Sequence, residues 1–346
     1  MPNFSASKLE DFTRRVFFAV GATEEESQTV SGALVAANLA GHDSHGVIRI
    51  PEYVRWVEEG LVTLGAKLAV VLETEALAVV DGNWGWGQVM GREAMKLAIA
   101  KAKRSGAAVV AGRNCCHLGR IGDYAAMAAE EGMAAVLFVN THGAGRLTAP
   151  FGGIERRLSA NPIAAAAPRP SGGPIVVDIS TCVIAEGKLR NMRNAGKPAP
   201  PGAIIDAEGK PSTRAADFYG PPQGALLPIA GHKGFALGLI TDILAGALSG
   251  AGCSSPEATR VGNAFLAIVI DIERARGREG FARDIESLVD YVKSSKLAPG
   301  FEEILVPGEP ESREQSRRQR EGISLDETTW GQIAESAGKY RISMTA

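Results

Sequence analysis

Neither sign of charge prevails in this chain, and aromatic residues and cysteines are few. Lys plus Arg number 37 against 39 Asp plus Glu, a net charge of −2. That balance argues against a general binder of nucleic acid or of an anionic membrane surface, which calls for a basic face. The four cysteines, Cys115, Cys116, Cys182 and Cys253, fall in no metal-ligand spacing, and an adjacent pair is a poor disulfide framework; the expected setting is reducing cytoplasm. The first ten residues lack a basic stretch followed by an apolar one, so no secretory signal is expected. The longest apolar stretch, 235–252, carries Asp242 and several glycines and reads as a buried helix rather than a membrane span. No G-x-G-x-x-G follows a predicted strand and no G-x-x-x-x-G-K-[ST] occurs, so ordinary Rossmann and P-loop sites are not supported.

What is present suits a globular enzyme. With 346 residues, 45% hydrophobic and 22% charged, the chain is long enough for two packed units and too apolar for disorder. Its 41 glycines exceed the usual ~7% share and, with few aromatics, suggest closely approaching backbones. Residues 5–40 read as two helices, the second opened by a Thr23/Glu26 capping box. After a polar break at Gly41-His42-Asp43-Ser44-His45-Gly46, helix resumes over 48–59. From residue 68 the texture changes. Short apolar runs at 68–72, 77–81, 107–111, 134–139, 163–168, 175–179 and 264–271 read as buried strands, with helices at 91–105, 121–132 and 235–248. Charged helices at 281–293 and 312–321 follow, with Glu309–Arg313 and Glu314–Arg318 as i,i+4 pairs. The boundaries fall near 75 and 280.

All five histidines, His42, His45, His117, His142 and His232, stand in glycine-rich breaks or helix mouths, where an imidazole is placed to move protons near neutral pH. Arg49 follows His45 by one helical turn. A guanidinium fork binds a carboxylate while a neighbouring imidazole exchanges a proton with an oxygen on the adjacent carbon, which suits a 2-hydroxy or 2-oxo acid. Spacing alone fits equally well a surface arginine beside a helix-capping histidine. His42, Asp43 and His45 also offer metal-ligand chemistry, and a metal-dependent hydrolase is the rival reading, although no further ligands stand at matching spacing. Asn114 through Gly122 follow a strand and open a helix; that mouth, with Arg120, favours an anion, and His117 is a second proton-transfer candidate. His232 and Lys233, between glycines before a helix, are placed to meet a pyrophosphate or to form a plain turn.

These segments together resemble the malate/L-lactate dehydrogenase family that is unrelated to the Rossmann lactate and malate dehydrogenases. The matching text is Gly41-His42-Asp43-Ser44-His45-Gly46 with Arg49 and Tyr53; Asn114 to Gly122; Ala149-Pro150-Phe151-Gly152-Gly153; Asn161-Pro162; Asp178-Ile179-Ser180-Thr181 leading to Ala185, Gly187 and Lys188; Pro201-Gly202 with Asp206 and Gly209; His232-Lys233-Gly234; and Val306-Pro307-Gly308-Glu309. The His117 to Gly122 segment looks most like the hydroxycarboxylate dehydrogenase B branch.

The resemblance implies an α/β chain: a non-Rossmann, mixed-sheet cofactor domain at 76–279, and a mainly helical domain, with the catalytic loop, from 1–75 and 280–346. It implies an NAD(P)-dependent oxidoreductase, homodimeric, acting on a small 2-oxo or 2-hydroxy acid, with NAD favoured over NADP. No metal is implied. His45 or His117 would be the proton donor, Arg49 the carboxylate partner, and Asp178 an orienting group, with Ser44 and Tyr53 beside the substrate. Cofactor contacts would carry over to Asn140, Thr141, Asp178, Ile179, Ser180, Thr181, His232, Lys233, Pro307, Gly308 and Glu309. Lys188, Arg190 and Arg193 are candidates for a 2′-phosphate. Two departures stand out. Val139-Asn140-Thr141-His142-Gly143 replaces a Thr-Asn-Ser stretch and adds His142, and Cys182 replaces a hydroxyl with a weaker hydrogen-bonding thiol.

Overall fold

In the computed structural model, which describes residues 1–194 and 196–344, two hydrophobic cores lie side by side. One is built by the two ends of the chain. Helices α1 (Ala6–Ala19), α2 (Glu24–Leu39) and α3 (Ile50–Glu58) pack with α12 (Glu327–Gly338), burying Leu9, Phe12, Phe17, Leu34, Tyr53 and Ile333. Local chemistry starts these helices as the sequence suggests. Ser5 caps α1, and Thr23 and Glu26 satisfy each other's backbone N–H groups in a capping box at α2. Strand β1 (Asn3–Phe4) pairs with β12 (Ile323–Ser324), tying the chain ends together.

The second core surrounds a seven-stranded sheet of β2 (Ala69–Glu73), β3 (Leu77–Asp81), β4 (Ala107–Cys115), β5 (Met133–Asn140), β6 (Ile163–Ala167), β7 (Ile175–Ile179) and β11 (Asn263–Asp271). The order is β2-β3-β4-β11-β5-β6-β7, antiparallel except for β3 beside β4. Helix α4 (Gly87–Ser105) closes at Gly106, whose φ of +85° no Cβ-bearing residue adopts cheaply. Helix α5 (Gly122–Glu130) packs the small side chains of Ala125, Ala128 and Ala129 toward the alanine-rich β6, the close approach that the composition implies.

Not every expectation holds. β2 is an edge strand whose Val70, Val71 and Leu72 are about half exposed, not a buried one. The stretch expected as a buried helix is α8 (His232–Thr241), running into a π-helical turn at Asp242–Ala247. Its glycine face is buried: Gly238 packs over Thr181, and Gly246 against Gly252 and Asn140. Its other face leaves Leu237, Leu239, Ile240, Ile243 and Leu248 substantially exposed. Of the two charge pairs, Glu314–Arg318 forms, whereas Glu309 binds Lys293 and Arg169, and Arg313 binds Glu303.

A third, smaller packing unit had no counterpart in the expectations. Helices α6 (Glu186–Asn194) and α7 (Ala215–Tyr219) and the short strands β8 (Ile204–Ile205), β9 (Pro211–Ser212) and β10 (Ala225–Leu226) enclose Leu189, Ile204 and Phe218. The chain continues through α9 (Ile272–Ala275), α10 (Arg278–Lys293) and α11 (Glu309–Glu321), the last of which packs on α2. Among the described residues no helix is long and apolar enough to cross a membrane.

Candidate active site

Two loops meet where the cores adjoin. The first follows α2 and runs through two short 3₁₀ turns, Asp43–His45 and Val47–Arg49. The Asn38 carboxamide is its frame. Oδ1 accepts from the Val47 N–H at 2.8 Å, and Nδ2 donates to Asp43 at 2.6 Å. A Cβ at Gly46 would lie 2.2 Å from Asn38 Oδ1, so this glycine is a steric requirement. Arg318 of α11 grips both Asp43 oxygens at 2.5 and 3.0 Å, and His42 Nε2 lies 3.4 Å from Glu311. Asp43 and His42 therefore fasten the loop to α11, while Ser44 and His45 turn inward. The three residues of the metal reading have separate partners, and no group of three or more His, Cys, Asp or Glu among the described residues is arranged to hold a metal. The hydrolase reading has no geometric support.

The second loop leaves β4 at Asn114, which has a φ of +53°. Its N–H donates to His142 Nε2 at 2.9 Å, and its side chain donates to Asp81 at 2.8 Å. His142 is thus a buried acceptor behind the loop, its pKa lowered by burial to about 4. Asn263, at the start of β11, accepts from the Leu118 N–H and donates to the Asn140 carbonyl, both at 2.8 Å, joining this loop to the end of β5. A Cβ at Gly87 would lie 2.2 Å from the His117 carbonyl oxygen, so the start of α4 sits directly against the loop. The anion expected at the mouth of α5 is the protein's own: Asp178 Oδ2 accepts from the Gly122 N–H at 2.7 Å, and Arg120 binds Asp123. Burial raises the Asp178 carboxyl to about 6.

Across the seam the His45 and His117 rings stack, 5.5 Å between centroids and 14° from parallel. Both pKa values lie well below the ordinary value. Burial is the main cause for each; His117 and Arg49 add to it at His45, and Arg49 and Arg190 at His117. Both rings are neutral near pH 7. Ser44 Oγ lies 3.2 Å from His45 Nδ1. His117 Nδ1 lies 2.7 Å from the Tyr53 hydroxyl, which accepts from Gln88 Nε2 at 2.9 Å. Arg49 is held by the Ser44 carbonyl (Nε, 2.8 Å) and by Glu52 (Nη1, 2.6 Å), which leaves Nη2 unengaged by them.

His45, Arg49 and His117 front a cavity of about 240 Å³ whose wall also includes Thr141, Arg190 and Asn263. The Thr141 hydroxyl is buried there without a partner among the described residues, as expected of a group that meets a bound molecule. His45 also borders a second cavity, of about 310 Å³, beside Gln88, Arg92 and Arg120.

The other expected residues lie outside the first cavity. Ser44 and Tyr53 are buried behind its wall. The Asn140 carboxamide is bound to Asp242 and Gly252. Ser180 and Thr181 hydrogen-bond the Ala160 carbonyl; Ile179 is exposed at the end of β7. His232 and Lys233 are exposed at the start of α8, with His232 against Phe151. Pro307 and Gly308 rest on the opposite, N-terminal end of β7, and Glu309 is held low, at about 2, chiefly by Lys293. Of the 2′-phosphate candidates, Lys188 is exposed, and Arg190, itself on the cavity wall, and Arg193 are engaged, by Glu186 and by the Tyr219 ring. Gln88, Glu52, Glu186 and Asn263 escaped sequence reasoning. Two of them left a local signal: Glu186–Arg190 is an i,i+4 pair and Arg49–Glu52 an i,i+3 pair.

Comparison with known proteins identifies the family. Residues 4–334 match the malate/L-lactate dehydrogenase family model. Hydroxycarboxylate dehydrogenase B of Escherichia coli strain K12 is 38% identical over 339 residues, covering 96% of this chain and 93% of that protein. Malate dehydrogenase of Pyrococcus horikoshii is 39% identical, covering 97% and 94%; its solved structure superposes with a TM-score of 0.89 over 99% of this chain and 96% of that one. The Δ1-piperideine-2-carboxylate reductase of Pseudomonas syringae, 30% identical, superposes with a TM-score of 0.84 over 97% of this chain and 100% of that one. The chain belongs to the malate/L-lactate dehydrogenase family.

Proposed function

We propose that the protein is a nicotinamide-dependent oxidoreductase that transfers a hydride reversibly between its cofactor and C2 of a 2-hydroxy or 2-oxo carboxylic acid. The observation that carries this reading is the wall shared by two stacked, neutral imidazoles and a guanidinium, facing a cavity of metabolite size. When bound, the reduced nicotinamide supplies the hydride. The orphaned Thr141 hydroxyl on that wall is a fitting partner for it, and Asp178 acts at one remove by holding the α5 mouth.

Arg49 performs the first task. With Nε and one Nη1–H engaged, its remaining N–H groups receive the substrate carboxylate. That carboxylate offsets the positive charge that disfavours protonated His45 and His117, so substrate binding itself raises their affinity for a proton. One of the two imidazoles then gives a proton to the C2 oxygen as the carbonyl is reduced and takes it back in oxidation. The stacked partner and Arg49 favour the negative charge that builds on that oxygen.

For the cofactor we propose NAD, from the resemblance to the hydroxycarboxylate dehydrogenase B branch; two of the three 2′-phosphate candidates, Arg190 and Arg193, already have partners. We further propose a homodimer that covers the exposed apolar side chains of α8, a row of the kind that marks an interaction surface, and a cytoplasmic setting, in keeping with four free cysteines. A spectrophotometric screen of 2-oxo acids with NADH and with NADPH tests the reading. Consumption of NADH in preference to NADPH is expected, and no consumption of either across the panel would overturn it.

A further inference from the structure

His117 lines the cavity, yet its Nδ1 faces away from it, toward two side chains that are each only 1% exposed, Tyr53 and Gln88. The Gln88 amide, with Nε2 toward the phenol and Oε1 without a partner among the described residues, sets the hydrogen positions in this buried chain of three. Gln88 Nε2 donates to the tyrosine oxygen. Among the described residues the tyrosine proton then has one acceptor within reach, the imidazole Nδ1 at 2.7 Å. Were Nδ1 protonated instead, the phenol oxygen would receive two donors and its own buried proton would have no acceptor, at the cost of an unmade hydrogen bond. Tyr53 itself stays a phenol, since burial pushes its pKa up.

We propose that Gln88 and Tyr53 are positioning residues that hold His117 in the tautomer with its proton on Nε2, so that His117 is a fixed hydrogen-bond donor to the C2 oxygen and the transferred proton passes through His45. An imidazole whose Nδ1 accepts from Tyr53 and whose Nε2 already bears hydrogen has no lone pair left for a substrate hydroxyl proton. His45 has no such constraint: its Nδ1 neighbour is a serine hydroxyl, which donates or accepts. In reduction the C2=O π bond opens, hydride forms the C–H bond, and His45 as imidazolium forms the O–H bond. His45 then regains a proton from solvent. His117 Nε2–H holds the oxygen throughout and loses nothing.

This inference rests on the proposed function for its chemistry, but its first test does not. Long-range 1H–15N correlation on the unliganded, 15N-histidine-labelled protein should show His117 with Nε2 protonated and Nδ1 bare, and Tyr53→Phe should leave a mixture of tautomers. A His117 protonated on Nδ1, or a tautomer unmoved by Tyr53→Phe, overturns the inference whatever the substrate proves to be. The expected tautomer without turnover of any 2-oxo acid overturns the functional reading and leaves the tautomer assignment standing.

Kinetics provide the second test. A carboxamide is a hydrogen-bond donor but no acid or base, so His117→Gln should stay within about tenfold of wild-type kcat while His117→Ala loses ~10²–10³, the loss typical for an oxyanion donor. His45→Gln should lose ~10²–10⁴. Tyr53→Phe should lower kcat about tenfold with KM nearly unchanged. A His117→Gln variant as inactive as His45→Gln, while folded by circular dichroism, contradicts the division of roles.

Discussion

The rings of His45 and His117 lie face to face, 5.5 Å apart at their centroids, although one stands on the loop that follows α2 and the other on the loop that follows β4. Two partly buried imidazoles at that distance beside Arg49 resist protonation together, and this sets the expected pH behaviour. The pKa of each lies well below its ordinary value, chiefly through burial. In hydroxy-acid oxidation, where a neutral base is needed, kcat/KM should be level above pH 7 and fall only in acid, with an apparent pKa below about 6.5. In the reverse direction, which needs a proton on the enzyme, kcat/KM should fall as pH rises through the same range. An inflection above pH 7 in the oxidation profile contradicts neutral histidines.

Arg49 is tested by its geometry. Its Nε bond to Ser44 and its ion pair with Glu52 set the guanidinium plane before substrate arrives. Arg49→Lys loses the fork, and the KM for a 2-oxo acid should rise about 10- to 100-fold, in line with ~1.5–3 kcal/mol for a charged hydrogen bond. Unchanged KM would remove Arg49 from the carboxylate.

His142 governs acid stability rather than catalysis. Unfolded, an imidazole titrates near 6.5; here Nε2 accepts from the Asn114 N–H and the folded value is about 4. The unfolded state binds the extra proton in that window, so stability is lost as pH falls from about 6.5 to about 4, by up to about 3 kcal/mol. Asp178 acts in the opposite sense. Its folded value of about 6 lies above the unfolded one, so folding gains as pH falls from about 6 toward 4. Urea unfolding at pH 7, 5 and 4 should show a smaller acid loss in His142→Gln than in wild type. An equal loss in both contradicts this account.

The apolar face of α8 predicts assembly. Light scattering should give about twice 36.2 kDa, and Ile240→Asp with Ile243→Asp, placing charge on half-exposed positions, should yield monomers. A wild-type monomer would overturn the proposed dimer.

Much of this was legible in the chain because it depends on local pattern. The seven sheet strands coincide with the apolar runs, the Thr23–Glu26 capping box forms, and His45, Arg49 and His117 share one cavity wall. What stayed hidden depends on partners distant in sequence. His42 and Asp43 looked chemical because Glu311 and Arg318, which hold them, lie on α11, far along the chain. The mouth of α5 looked ready for a ligand because Asp178, which fills it, comes from β7. Gln88 carried no motif; its importance arises from burial beside Tyr53. The apolar face of α8 read as buried because composition reports that a helix is apolar and not what covers it.

The central claim, that two imidazoles and Arg49 receive an acidic metabolite, is tested most directly by a crystal structure with dinucleotide and a non-reacting 2-oxo acid analogue such as oxamate. The account predicts the analogue's carboxylate on Arg49 and its carbonyl oxygen within hydrogen-bond distance of both His45 and His117. A ligand bound elsewhere, with those side chains turned from it, would contradict the account.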